Sequence, residues 1–326
     1  MLWFTSILFY VAVQRQVDVA RLVLSILHIG GVVVALQLGS VSFVPFNHLF
    51  VPWAIIGTLH TASVLLLEKK ILKLPSSTSF AQRPRAVLCI WANPRGLCLS
   101  DDTCTDSPDP GHPGRVRFAL LRCGRAIALL AIRHLIASFT TKTLYGLHLS
   151  RWDFGPDNQG LLPLLTKRDL ILRLLMSYQW VWDTHILLTV AHNLLAAVFV
   201  SVMQWDRPDD WPALFGNITQ AYTLRRFWGQ FWHRLHVTIF EAYLAAMVIR
   251  VKVLRHGIIS GESRALWMFV MSAVCHTASN WVLTHRSNVV QEFRFFLSNY
   301  VVCWAETTLE RRLNLAGRAK SSGPVT

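Results

Sequence analysis

Thirteen histidines stand in a chain of 326 residues that is 53% hydrophobic and only 15% charged. Imidazole has a reference pKa of ~6.5, so it can take up and return a proton near neutral pH. One histidine lies inside the strongest late apolar run, Ala265–Thr284. At 1.5 Å per residue, His276 sits roughly 17 Å into that run, near the middle of a ~30 Å hydrocarbon core. Ser272, His276 and Asn280 are four apart and share one helical face, with Ser279 beside them. Lipid cannot satisfy such a stripe, which must therefore face the bundle interior or a wet cavity. The chemical alternatives are proton transfer at that cavity or plain helix–helix hydrogen bonding.

A second cluster lies between apolar runs. The stretch 211–234 packs Phe227, Trp228, Phe231 and Trp232 around Gly229 and leads into His233, with Arg225 and Arg226 just ahead. Aromatic residues with arginines at a helix edge ordinarily make an interfacial amphipathic segment. Several other chemistries are excluded or weakened. Di-iron membrane hydroxylases need several closely spaced histidine boxes, and the chain offers only His233-x2-His236. No His-Glu-x-x-His, Gly-x-Ser-x-Gly or Gly-x4-Gly-Lys-(Ser/Thr) occurs. His185 and His192 are seven apart on one face of another run, where they read as joints between helices. No metal site is expected.

The elements that must position these residues are apolar runs: Leu2–Val13, Leu22–Val44, Leu49–Leu67, Ile127–Thr140, Thr184–Met203, His236–Val251, Ala265–Thr284 and Phe293–Thr307. They predict an all-α, multi-pass transmembrane bundle of about six to eight spans. The first run reads as a retained helix or interfacial anchor, because no basic stretch precedes it and no small-x-small site follows. One membrane-embedded domain over 1–311 is expected, with a long polar loop at 72–117 and a flexible tail at 312–326. Pro108-Asp109-Pro110-Gly111-His112-Pro113-Gly114 and the acids before it mark that loop.

Lysine and arginine outnumber acids 32 to 18. They gather in connections (Lys69, Lys70, Lys73, Arg83, Arg85, Arg95) and in the tail (Arg311, Arg312, Arg318, Lys320). This pattern indicates cytosolic segments beside anionic headgroups rather than a nucleic-acid partner. The six cysteines show no metal-ligand spacing. Asn217-Ile218-Thr219 fits the glycosylation pattern, but on a cytosolic segment it is a chance match.

The segment Leu224-Arg-Arg-Phe-Trp-Gly-Gln-Phe-Trp-His233 resembles the Leu-Arg-(Asp/Glu)-Phe-Trp-Gly-Arg-Arg-Trp-His signature of wax synthase-like proteins. These sit within the membrane-bound O-acyltransferase group. Trp211-Pro212 with Leu214-Phe215-Gly216 resembles the opening of the same domain, and His276 the later intramembrane histidine. Asn93-Pro94-Arg95-Gly96 is similar to an element that fungal relatives carry ahead of the domain. The chain departs from the pattern at Arg226, which replaces an acid, at Gln230-Phe231, which replace a basic pair, and at Cys98, which replaces a glycine.

The resemblance implies transfer of an acyl group from acyl-CoA to a hydroxyl. His276 is then the general base, kept neutral by burial. His233, the Trp228 indole and Asn280 are candidate donors to the thioester oxyanion. Arg225 and Arg226 are candidates to clamp CoA phosphates. The expected cosubstrate is acetyl-CoA or another acyl-CoA, with no cofactor held permanently. The expected acceptor is a lipophilic alcohol, such as a terpenoid or meroterpenoid of secondary metabolism, in the endoplasmic reticulum membrane. A long-chain wax or sterol ester synthase is the alternative enzyme, and a non-enzymatic carrier or scaffold the alternative of another class.

Overall fold

The computed structural model describes residues 2–39, 44–72, 82–93, 95, 114–146, 148–150, 153, 166–250, 260–286 and 289–321. In chain order the helices are α1 (Leu2–Gln14), α2 (Val19–Gly39), α3 (Val44–Ala62), α4 (Gln82–Trp91), α5 (Gly114–Gly146) and α6 (Lys167–Ala197). They continue with the short α7 (Leu224–Arg226), α8 (Val237–Arg250), α9 (Gly261–Thr284) and α10 (Val289–Ser321). No strand occurs among the described residues. The all-α expectation holds.

Four stretches among the described residues are long and apolar enough to cross a membrane: Val19–Leu38, Phe50–Leu67, Lys167–Val202 and Gly261–Thr284. Two shorter apolar helices, Phe4–Gln14 and Val237–Ile249, accompany them. The apolar runs 127–140 and 293–307 lie inside α5 and α10. On α2 the side chains of Leu22, Val23, Ile26, Leu27, Val33 and Val34 are exposed. A helix apolar on its outward face requires lipid as its solvent.

The chain divides into two compact units, residues 1–106 with 216–326, and residues 107–215. In the first, α1 and α2 approach closely because Gly31 lacks a side chain; a Cβ there would come 2.7 Å from Thr5 Cγ2. His28 Nδ1–H donates to the Thr5 carbonyl (2.7 Å), and its Nε2 meets Thr61 Oγ1 (3.0 Å), tying α1, α2 and α3. Arg21 is fully buried and donates to the carbonyls of Arg15 (3.0 Å), Leu65 (3.3 Å) and Lys70 (2.7 Å). Leu65 lies in the π-helical turn Ser63–Leu67 that ends α3, and helix ends leave such carbonyls unsatisfied.

Helix α4 lies inside the stretch that proline and glycine marked as loop. Its Val87 and Ile90 pack with Phe9, Val13, Val64 and Leu65, and His60 Nε2–H donates to the Ile90 carbonyl at 2.8 Å. Apolar residues three apart suffice for one buried face, whatever the turn chemistry around them. Residues 114–117 of the expected loop begin α5, while 73–81, 94 and 96–113, with Cys98 and Cys104, lie outside the described residues. So do the last five residues of the expected tail, whose earlier part is helical as far as Ser321.

In the second unit α5 and α6 are antiparallel. Arg115 stands opposite Ser201, Arg122 opposite Asn193 and Arg133 opposite Asp183. Thr166 and Asp169 form a capping box that starts α6. His185 and His192 are ring partners here, His185 of Phe215 (4.3 Å) and His192 of Trp211 (5.2 Å).

Candidate active site

The site is built on a short irregular segment held between longer helices. Thr223 caps α7 through the Arg226 N–H (3.2 Å). Glu306 of α10 accepts the N–H groups of Leu224 (3.0 Å) and Arg225 (2.8 Å). The chain then widens into a π-helical turn, Phe227–Phe231, and leaves it extended at Trp232. Phe227 stacks on Trp232 with ring centroids 5.2 Å apart, and both Phe231 and Trp232 are buried. The Gly216 N–H donates to the Phe231 carbonyl at 2.9 Å. A Cβ at Gly216 would run into the Gln230 carbonyl, so no other residue fits there.

This turn delivers His233 beside Trp232 (5.3 Å) and beside His236 (5.4 Å). His236 in turn lies 4.6 Å from Phe240 in the first turn of α8. Both imidazoles lie between the turn and α8, outside the spanning helices. Burial, and then the charge that His236 and His276 would carry, holds His233 well below the ordinary histidine range. Burial first, and then His276, takes His236 to about 4. Both are therefore neutral at physiological pH. His233 and His236 are ring neighbours, and the charge that His276 would carry is felt by both.

His276 differs from the buried histidines of α2 and α3. His28 and His60 are 2% and 8% exposed and join helices by hydrogen bonds, His28 through both ring nitrogens and His60 through Nε2. His276 is exposed, forms no hydrogen bond among the described residues, and rests its ring 5.0 Å from that of Phe296 on α10. His276 therefore stands apart from the two histidines that join helices.

The other sequence candidates have partners. The Trp228 indole donates to Asn299 Oδ1 (3.0 Å), and its ring meets the edges of Phe269 and Phe295. Asn280, one turn from His276, donates to Glu292 Oε1 and keeps a second N–H. Arg225 pairs with Glu310. Arg226 donates to Gln230 Oε1 (2.9 Å) and covers the Tyr222 ring (4.4 Å). Two departures from the signature, Arg226 and Gln230, thus satisfy each other across one turn. The third, Phe231, is buried, where a basic residue would need a partner of its own. At the other end of the segment, Thr238 Oγ1 donates to the Arg95 carbonyl (2.9 Å), which brings Arg95 to the start of α8.

Residues 211–298 match the Membrane bound O-acyl transferase family. The resemblance read from Leu224–His233 is borne out, and the matched segment contains all three of these histidines. Three curated relatives carry the name acetyltransferase. Acetyltransferase spyB of Aspergillus fumigatus is 32% identical over 32% of this chain and 18% of its own length. Acetyltransferase nanB of Aspergillus nanangensis is 23% identical over 78% of this chain and 63% of its own length. Acetyltransferase sirH of Emericella nidulans is 27% identical over 50% of this chain and 36% of its own length. The chain therefore spans less than two thirds of each. No solved structure matches.

Sequence reasoning missed His236, Phe296, Asn299, Glu292 and Glu306 as parts of the site. The signal for the last three was available: Glu292, Asn299 and Glu306 recur every seven residues around an apolar run.

Proposed function

We propose that this chain is a membrane O-acyltransferase that moves an acetyl group from acetyl-CoA to the hydroxyl of a lipophilic acceptor. The acceptor class is a terpenoid or meroterpenoid alcohol, and the setting the endoplasmic reticulum membrane. The observation that carries the reading is an exposed His276 on α9, whose charge would be felt by the neutral, ring-adjacent His233–His236 pair, all within the matched segment.

The neutral His276 ring removes the acceptor hydroxyl proton as the oxygen attacks the thioester carbonyl. The tetrahedral intermediate places negative charge on the former carbonyl oxygen, toward which His233 and the second N–H of Asn280 donate. Collapse breaks the carbon–sulfur bond, and the CoA thiolate recovers the proton from the His276 imidazolium. The ester and free CoA leave. Arg225 pairs with Glu310, fourteen residues along α10 from the ring partner of His276, a separation of roughly 21 Å at 1.5 Å per residue. A ligand with its phosphates far from its thioester suits that separation. Acetyl is favoured over fatty acyl by the bulk of Phe269, Phe295 and Phe296 around Trp228 and His276, and by the names of the relatives.

Membranes holding the full chain, given labelled acetyl-CoA or palmitoyl-CoA with farnesol, ergosterol or hexadecanol, should form acetyl esters of a terpenoid alcohol. CoA release should depend on the alcohol. His276→Ala should lower the rate by ~10²–10⁴-fold at unchanged protein level. More than half the activity retained would remove His276 from the base role. Equal turnover of both donors would defeat the acetyl assignment, and alcohol binding without CoA release would favour a carrier.

A further inference from the structure

One face of α10 carries Glu292, Phe296, Asn299, Cys303, Glu306 and Glu310, spaced alternately by three and four residues. Glu292, Phe296, Asn299, Glu306 and Glu310 each contact the site. Glu292 takes the Asn280 amide, Phe296 meets the His276 ring, and Asn299 takes the Trp228 indole. Glu306 takes two backbone N–H groups at the start of the Trp–His segment, and Glu310 pairs with Arg225. Asn299, Glu306 and Glu310 lie beyond residue 298, where the family match ends.

The segment they grip cannot hold its own shape. Leu224–His233 consists of a three-residue helix and one π turn, far below the length at which helices persist unaided. Its position must come from tertiary contacts. On one side the Gly216 N–H holds the Phe231 carbonyl, and on the other Asn299 and Glu306, two turns apart on α10, hold Trp228 and the first two amides. His233 follows five residues after Trp228 with an extended residue between, so a shift at the indole is carried to the imidazole.

We propose that Asn299 and Glu306 are positioning residues for acyl transfer. They form a two-point clamp by which α10 sets the place of His233 against His276, whose ring the same helix face already contacts through Phe296. The inference rests on the acyltransferase reading. Displacement of a reacting group by about 1 Å costs on the order of 10²-fold in rate, so loss of either clamp point should act on turnover more than on binding.

The test uses the full chain in membranes, labelled acetyl-CoA, and whichever alcohol of the panel above the unsubstituted chain esterifies best. Asn299→Leu and Glu306→Leu should each lower kcat by roughly ten- to a hundredfold, with KM for acetyl-CoA within about twofold. Asn299→Asp keeps an acceptor oxygen for the indole and should recover at least half of the lost kcat. Hydrogen exchange, read independently of activity, should show the amides of 224–233 exchanging faster in both leucine variants. Faster exchange with unchanged kcat would overturn the clamp while leaving the acyltransferase reading intact. A fall in KM affinity alone, or no recovery in Asn299→Asp at normal membrane levels, would also overturn it. An unsubstituted chain that forms no ester with any donor or alcohol would overturn the acyltransferase reading, and the clamp's catalytic role with it.

Discussion

Histidines in this chain divide by environment, and the division predicts opposite consequences of the same substitution. His28 joins three helices with both ring nitrogens engaged. His28→Ala leaves the Thr5 carbonyl and Thr61 hydroxyl without that partner and should cost about 1–3 kcal/mol of stability. It should lower the melting temperature in detergent and spare the turnover of the protein that remains folded. His276→Ala should do the reverse, and a melting loss without a turnover loss at position 276 would return that residue to the structural class. His236 supplies a pH signature. Its folded value of about 4 lies below the ordinary ~6.5 of an unfolded histidine, so the unfolded chain binds the proton first as pH falls. The stabilisation is complete above pH ~6.5 and is lost progressively toward pH 4. Thermal unfolding between pH 4 and 8 should show this acid loss, and His236→Gln should make it shallower. An equal slope in the variant would reject the assignment. His276 was legible in the sequence because a histidine at bilayer depth is costly and demands a reason. His236 was visible only as a spacing, since its approach to His233 depends on the turn between them.

At the scale of elements, helices with long apolar faces were legible and their irregular ends were not. The runs at 22–44, 49–67 and 265–284 correspond to α2, α3 and α9, because lipid and core both reward uninterrupted apolar sequence. The three π-helical turns among the described residues, Ser63–Leu67, Val198–Val202 and Phe227–Phe231, have no such signal. A π turn exchanges one hydrogen-bond register for another at nearly constant composition, and such turns concentrate at functional sites. The α4 helix was hidden by the proline and glycine that surround it. Gly216 is the element-scale test. A methyl group there meets the backbone of Gln230, whereas at Gly229 it meets open space. Gly216→Ala should therefore push residue 216 off the π turn, at a cost of about 1–3 kcal/mol or more, and lower both accumulation in membranes and activity. Gly229→Ala should leave accumulation unchanged. Normal accumulation and activity of Gly216→Ala would show that the close approach is dispensable.

For the molecule as a whole, the sequence carried class and family while the division of the chain stayed hidden. Apolar composition points to a bilayer wherever the chain folds, but the separation of 107–215 from the rest depends on long-range packing that no local pattern reports. Orientation in the membrane is a whole-chain property that charge does report. Lys69, Lys70 and Lys73 follow α3 directly, and Arg83, Arg85 and Arg95 lie within the next hundred-ångström reach of chain. Arg311, Arg312, Arg318 and Lys320 all fall in the last turns of α10. Lysine and arginine near span ends are retained on the cytosolic side, so the 72–117 stretch and the C-terminal end should face the cytosol together. Arg225 pairs with Glu310 beside that end, so, on the proposed role of Arg225, the phosphate end of a cytosolic acyl-CoA would reach it without crossing the bilayer. Asn217 accepts the Thr219 N–H and hydroxyl through Oδ1 (3.0 Å each), and in this orientation its amide nitrogen would never meet the glycosylation machinery. In sealed microsomes, protease should cut both segments from outside and endoglycosidase should leave the mobility of the chain unchanged. Protection of either segment would reverse the orientation, place Arg225 on the lumenal side, and reopen both the glycosylation of Asn217 and the pairing of the loop cysteines.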